Sequence, residues 1–138
     1  MRSGRRVAID VGTVRVGVAA SDFHAILASG LVTINRVDSL EATCTKIVEA
    51  ISEVEPIEIY VGLPIALSGR ETASTIDAIG LAKQLAAMTD IPVRMIDERM
   101  TTVSAANALR ASDRSSKSGR KVIDQIAATI ILEIGRAH

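Results

Sequence analysis

Three short β-rich runs crowd into the first 34 residues, and no other feature constrains the fold as much. "RVAIDVG" ends at Gly12, "RVGVAASD" follows after two residues, and "AILASGLVTI" completes the set. Connections this short leave no room for a crossover, so the three strands form an antiparallel meander.

After the meander the pattern changes period. In "DSLEATCTKIVEAISEVE", Leu40, Ile47, Val48 and Ile51 recur at helical spacing behind an N-cap at Asp38 or Ser39. "IEIYVG" reads as a fourth strand stopped by "GLP", "TASTIDAIGLAKQLAAM" as a second helix, and "IPVRMI" as a fifth strand. "TVSAANALRA" predicts a third helix and "SDRSSKSG" a polar loop. The final helix, "RKVIDQIAATIILEIGRA", is expected to bury Ile123, Ile126, Ala127, Ile130, Ile131 and Ile134. The order βββ-α-β-α-β-α-α predicts an α/β fold: a five-stranded mixed sheet, three antiparallel strands plus two parallel ones, with helices on both faces. Residues 1–138 suffice for one such domain.

The core of that domain must be aliphatic, because the chain has one Phe, one Tyr and no Trp. Few rings also weaken any model in which bases stack on exposed aromatics. Net charge is zero, but its distribution is uneven. Asp38–Glu58 holds six acids and one lysine, Arg110–Lys121 five bases and one acid, and Arg2, Arg5 and Arg6 add to the N-terminus. Such a chain can turn a basic face toward a polyanion. Cys44 is the only cysteine, which excludes an internal disulfide and a thiolate metal cage. No apolar run approaches 18 residues, so a cytosolic chain without a membrane partner is expected.

Chemistry concentrates at element ends. Asp10 closes the first strand within "DVGTVRVG", where Gly12 and Gly17 permit a tight turn and close approach of a ligand. Asp97 and Glu98 close the fifth strand in "DERMTT", and alternation sends them to opposite faces, so only one can readily join Asp10. Asp124 flanks the apolar stripe of the last helix, near its start, where it can lean over the sheet edge. Each acid has an ordinary explanation: a turn cap, a helix N-cap, a favourable interaction with the helix dipole. Together, three carboxylates from two strand ends and one helix suit a hard divalent cation such as Mg²⁺. His24 and His138 are the only histidines, so no zinc set is offered.

"AIDVGTVRVGVAASD", "VGLPIALSGRE", "DERMTT" and "KVIDQIAATIIL", in that order, resemble the YqgF/RuvX family over Val7 to Leu132. Those proteins are small bacterial RNase H-like domains, described as pre-16S rRNA nucleases and as candidate Holliday-junction resolvases. The resemblance implies an RNase H-like three-layer fold. It also implies that Asp10, Glu98 and Asp124 form the catalytic, metal-binding set, with Asp97 as a substitute for Glu98. Arg15, Arg99, Thr101 and Thr102 match polar positions suited to a phosphodiester backbone. The chain departs from the family pattern at Val11 and Val14, where Pro and Lys are frequent, and at Ala66, Ser68 and Gly69 after "GLP".

The activity so implied is hydrolysis of nucleic acid with Mg²⁺ or Mn²⁺ as cofactor. Arg114, Lys117, Arg120 and Lys121 would add sequence-independent affinity for the polyanion. Pre-16S rRNA is the expected substrate and branched DNA the alternative, for which a homodimer would suit two symmetric strands. Two other classes compete. An Asp-x-Gly-Thr hairpin also serves sugar kinases and actin-like ATPases, but these need two such domains around a cleft. A non-catalytic nucleic-acid-binding module would keep binding when Mg²⁺ is chelated.

Overall fold

A computed structural model describes residues 3–24, 28–98 and 117–137. The elements are β1 (Arg6–Val11), β2 (Arg15–Ser21), β3 (Ala28–Asn35), α1 (Leu40–Ile51), β4 (Glu58–Leu63), α2 (Ala73–Met88), β5 (Val93–Asp97) and α3 (Lys117–Ala137). A 3-10 turn, Ser52–Val54, follows α1. The third helix expected over "TVSAANALRA" lies outside the described residues.

The meander forms as its short connections require. β1 pairs antiparallel with β2, and β2 with β3, the latter with a register shift between Val18 and Ala19. β4 then returns beside β1 in parallel, and β5 runs parallel to β4, giving the order β3-β2-β1-β4-β5. Parallel neighbours need a crossover, and the intervening helices provide it. Ser39 starts α1 by accepting from the Ala42 amide at 3.1 Å, which settles the choice with Asp38. Thr72 and Thr75 form a reciprocal capping box at α2.

Alternation along the strands divides the interior into two layers. Val7, Ile9, Val16, Val18, Ile59 and Val61 point to the face covered by α1 and α2, where Ile47, Ile51, Leu81 and Leu85 meet them. Ala8, Ala19, Tyr60 and Ile96 point the other way, onto Ala128, Ile131 and Leu132 of α3. The result is the RNase H-like three-layer arrangement, with helices on both faces of a mixed sheet. No helix among the described residues is long and apolar enough to cross a membrane.

α3 corrects the sequence-based reading in three ways. It begins at Lys117, so Lys117, Ser118 and Gly119 are helical rather than the end of a loop. Its buried line runs through Asp124, Ala127, Ala128, Ile131, Leu132 and Gly135, whereas Ile126 is 40% exposed and Ile130 and Ile134 are only half-buried. Asp124 is therefore on the buried line, two turns into the helix, rather than beside it near the first turn. The sheet selects this line because its α3 face offers small side chains and glycines, which let the helix backbone come close.

Candidate active site

The first strand carries the site's first carboxylate. Ile9 faces α1 and α2, so the next residue, Asp10, faces α3 beside Ala8. Its cross-strand partner on β2 is Gly17. On the other side, one step beyond the Ile9–Val61 pair, it comes level with Gly62 of β4. Asp10 is 6% exposed, and a carboxylate withdrawn this far from water requires compensating partners.

Each flanking glycine is overlain by another acid. A Cβ on Gly17 would lie 2.2 Å from the Asp124 carbonyl oxygen and 3.2 Å from its Cβ. The close approach that Gly17 permits is thus that of α3 itself, and Asp124 sits over the sheet rather than over its edge. A Cβ on Gly62 would lie 2.7 Å from Glu98 Oε1 and 2.5 Å from Ile131 Cδ1. Glu98 therefore reaches back over β4 on the α3 face. Asp97 has the parity of Met95, whose side chain packs in the opposite layer. Of the two adjacent acids, alternation and contact both put Glu98 on the face of Asp10.

Asp124 has a cation at hand. Arg15 Nε donates to its Oδ2 at 2.8 Å, in a pair whose side chains are 18% and 6% exposed. Arg15 reaches it from the first residue of β2, directly after the hairpin. That hairpin is itself held: the Gly12 amide donates to the Arg15 carbonyl at 2.9 Å, at a spot where a Cβ would come within 2.6 Å of that oxygen. Arg36 then braces the turn from outside. Its guanidinium donates to the Gly12 carbonyl at 2.9 Å and to both oxygens of Asp77 at 2.6 and 3.0 Å. The hydrogen bond to Asp77 is the main reason that the Arg36 pKa rises above its ordinary value, burial opposing it.

The turn after β4 is fixed from below. Thr75, fully buried in the first turn of α2, donates its hydroxyl to the Pro64 carbonyl. Beyond that point the loop closes on itself through an Ile65–Glu71 bridge and leaves Leu67 exposed at its tip. A separate cleft, lined by Thr13, Val14, Arg36, Asp38, Ser74 and Asp77, opens on the α2 side of the hairpin and shares no lining residue with the acids.

The donor chemistry of Asp10, Glu98 and Asp124 fits a hard divalent cation, since all three offer carboxylate oxygens on one face over a floor of two glycines. As placed, no three acidic, histidine or cysteine side chains among the described residues are close enough together to hold an ion. The three acids are gathered on one surface without closing into a cage.

The other expected contacts divide differently. Arg99, Thr101, Thr102 and Arg114 lie outside the described residues, and Lys117, Arg120 and Lys121 fall on the start of α3 with side chains outside them. Of the N-terminal bases, Arg5 is exposed and Arg2 lies outside the described residues, but Arg6 cannot join a basic face: it is buried, donates to the Gly4 carbonyl at 2.9 Å, lies 3.7 Å from Glu58, and sits at the end of β1 remote from Asp10. Arg36 and Asp77 are positioning residues with no sequence signal, since nothing in the spacing links them. Gly62 did have a signal, in "GLP", but reads there as a strand stop rather than as space for Glu98.

Residues 4–134 match the family model RuvX, described as "Holliday junction resolvase". A protein of Clavibacter michiganensis subsp. michiganensis, named "Putative pre-16S rRNA nuclease", is 51% identical over 133 residues, covering 96% of this chain and 83% of that protein. One of the same name from Streptomyces avermitilis is 46% identical over 134 residues, covering 96% and 85%. Among solved structures, the Pelota protein of Thermoplasma acidophilum superposes with a TM-score of 0.52 at 11% identity, over 91% of this chain and 37% of its own. That last likeness is one of fold alone.

Proposed function

The chain belongs to the RuvX family, and from that premise we propose that it is a divalent-metal-dependent nuclease that processes the 5′ end of pre-16S rRNA in the bacterial cytoplasm. One observation carries the chemistry: Asp10 lies between two glycines, one overlain by Asp124 and the other by Glu98. The names of its relatives supply the substrate.

In this reading Asp10, Glu98 and Asp124 hold Mg²⁺ or Mn²⁺. Such an ion, when bound, activates the attacking water and offsets charge on the leaving oxygen. The protein's share is preorganisation. Burial of Asp10 and Asp124 keeps their oxygens from being spent on bulk water, and Gly17 and Gly62 let Asp124 and Glu98 come down close to the sheet on either side of Asp10. Arg15, together with Arg99, Thr101, Thr102, Arg114, Lys117, Arg120 and Lys121, would hold the phosphodiester backbone, which positions a substrate without reading its sequence.

The family description favours one second reading, resolution of a four-way DNA junction by a homodimer. Cleavage of a 16S precursor RNA and of a four-way junction, with and without Mg²⁺ at matched ionic strength, separates the two. Metal-dependent cutting of the RNA that Asp10→Asn reduces to background is the expected result. Paired, symmetric nicking of the junction would move the assignment to a resolvase. Tight binding that persists in chelator, with no cutting of either substrate, would mean a binding module.

A further inference from the structure

The contact between Arg15 and Asp124 conflicts with the use proposed for Asp124. A carboxylate oxygen that accepts a guanidinium at 2.8 Å does not offer the same lone pair to a cation. A divalent ion on that carboxylate would also stand a few ångströms from the positive charge of Arg15, with little water between them to screen it. The two cations therefore compete for one carboxylate. Asp124 is fixed on the buried line of α3, over Gly17, whereas Arg15 opens β2 at the base of an exposed hairpin tip. The Arg15 side chain is 18% exposed, against 6% for that of Asp124. The long side chain therefore has solvent to swing into, and a guanidinium is well suited to meet phosphate oxygens there.

We infer that Arg15 is a resident counter-ion for Asp124, which a divalent cation displaces, so that the guanidinium is released toward substrate phosphate as the metal arrives. This rests on the metal-dependent nuclease reading. The pair keeps a buried carboxylate compensated between turnovers, and displacement makes the backbone clamp available only when the metal is in place. It also accounts for three acids that share a surface without closing on one another: Asp124 is engaged sideways, toward β2.

Direct Mn²⁺ binding to the full chain, followed by the electron paramagnetic resonance of the free ion without nucleic acid, tests the displacement. Removing a competitor strengthens binding, so Arg15→Gln should bind Mn²⁺ about tenfold more tightly than wild type, the scale of one charged hydrogen bond. Arg15→Lys, which restores the charge, should return toward wild type. If Arg15 merely organises Asp124, Arg15→Gln binds equally or more weakly, and the inference is overturned. A second readout needs no variant. In wild type, the Arg15 Nε–Hε resonance should lose its carboxylate-bonded shift as Mg²⁺ saturates, and a shift unchanged at saturation overturns the inference as surely. Failure of the underlying reading looks different: wild type that binds no Mn²⁺ at millimolar concentration removes the metal assignment and this inference with it. Metal bound while Arg15 stays in place removes the displacement alone.

Discussion

Two glycines make the clearest case at the scale of single residues, because they do similar jobs against unequal neighbours. At Gly17 an added methyl would run into the backbone of α3, 2.2 Å from a carbonyl oxygen, and a helix cannot yield one carbonyl without lifting. At Gly62 it would meet the far ends of Ile131 and Glu98, which can rotate. Gly17→Ala should therefore cost about 3 kcal/mol or more and Gly62→Ala about 1–2 kcal/mol in denaturant unfolding. An equal cost for both would contradict the close approach described at Gly17. On the proposed nuclease reading, Gly62→Ala should also impair cleavage beyond its effect on stability, since Glu98 is one of the two side chains that must move. Asp10 and the pair Asp97–Glu98 were legible as strand-end acids from the sequence, because apolar runs ended at them. Alternation showed that the adjacent two must part, but not which faced Asp10, since the sheet's register is set by partners far along the chain. Arg36 was illegible for the same reason: its value lies in Gly12 and Asp77, 24 and 41 residues away.

At the scale of elements, the site depends on how firmly the β1–β2 hairpin and α3 are held. α3 is fastened at two points. Two turns in, Asp124 meets Arg15 over Gly17, and near its end Gly135 packs on the Tyr60 ring while its carbonyl accepts from Arg94 at 2.9 Å. Arg94 also stacks over that ring, 5.0 Å from its centre. The hairpin is held by Arg36, so Arg36→Met should destabilise the fold by about 1–3 kcal/mol, with much of that coupled to Asp77 in a double-mutant cycle. Arg36→Met paired with Asp77→Asn, showing no coupling in urea unfolding, would refute the brace. Element order, strand directions and caps could be read from the sequence because they rest on local period and turn chemistry. The stripe of α3 could not. Six apolar positions pointed to one face, but the glycine floor of the sheet favoured a line rotated toward Asp124, and only the assembled sheet carries that information.

Over the whole molecule, burial makes an alkaline weakness. Cys44 is fully buried between α1 and α2, and burial pushes its thiol above the ordinary range, with Arg36 opposing. Tyr60 is raised as well, first by burial and then by its hydrogen bond to Glu58. Both groups are neutral when protonated, and a raised pKa means that the folded state holds the proton more tightly. The stability they contribute is present below the pKa of an unfolded thiol, roughly 8.5, and is lost as pH rises through the folded values. Thermal unfolding should therefore show a falling Tm above about pH 9. Cys44→Ala should begin from a lower Tm and decline less steeply, and an identical slope would exclude the thiol as a cause. The layered architecture has a further consequence, in the order of events during synthesis. Asp10 and Arg15 are made early, and the residue that Arg15 grips lies 109 positions later. Closing so long a loop is entropically costly and tends to be slow. A nascent chain thus carries its sheet as an open platform, one face uncovered, until the last described helix docks. Termination between β5 and α3 would leave a product with its five strands but without Asp124, and so without one of the three acids that the folded chain gathers on that face.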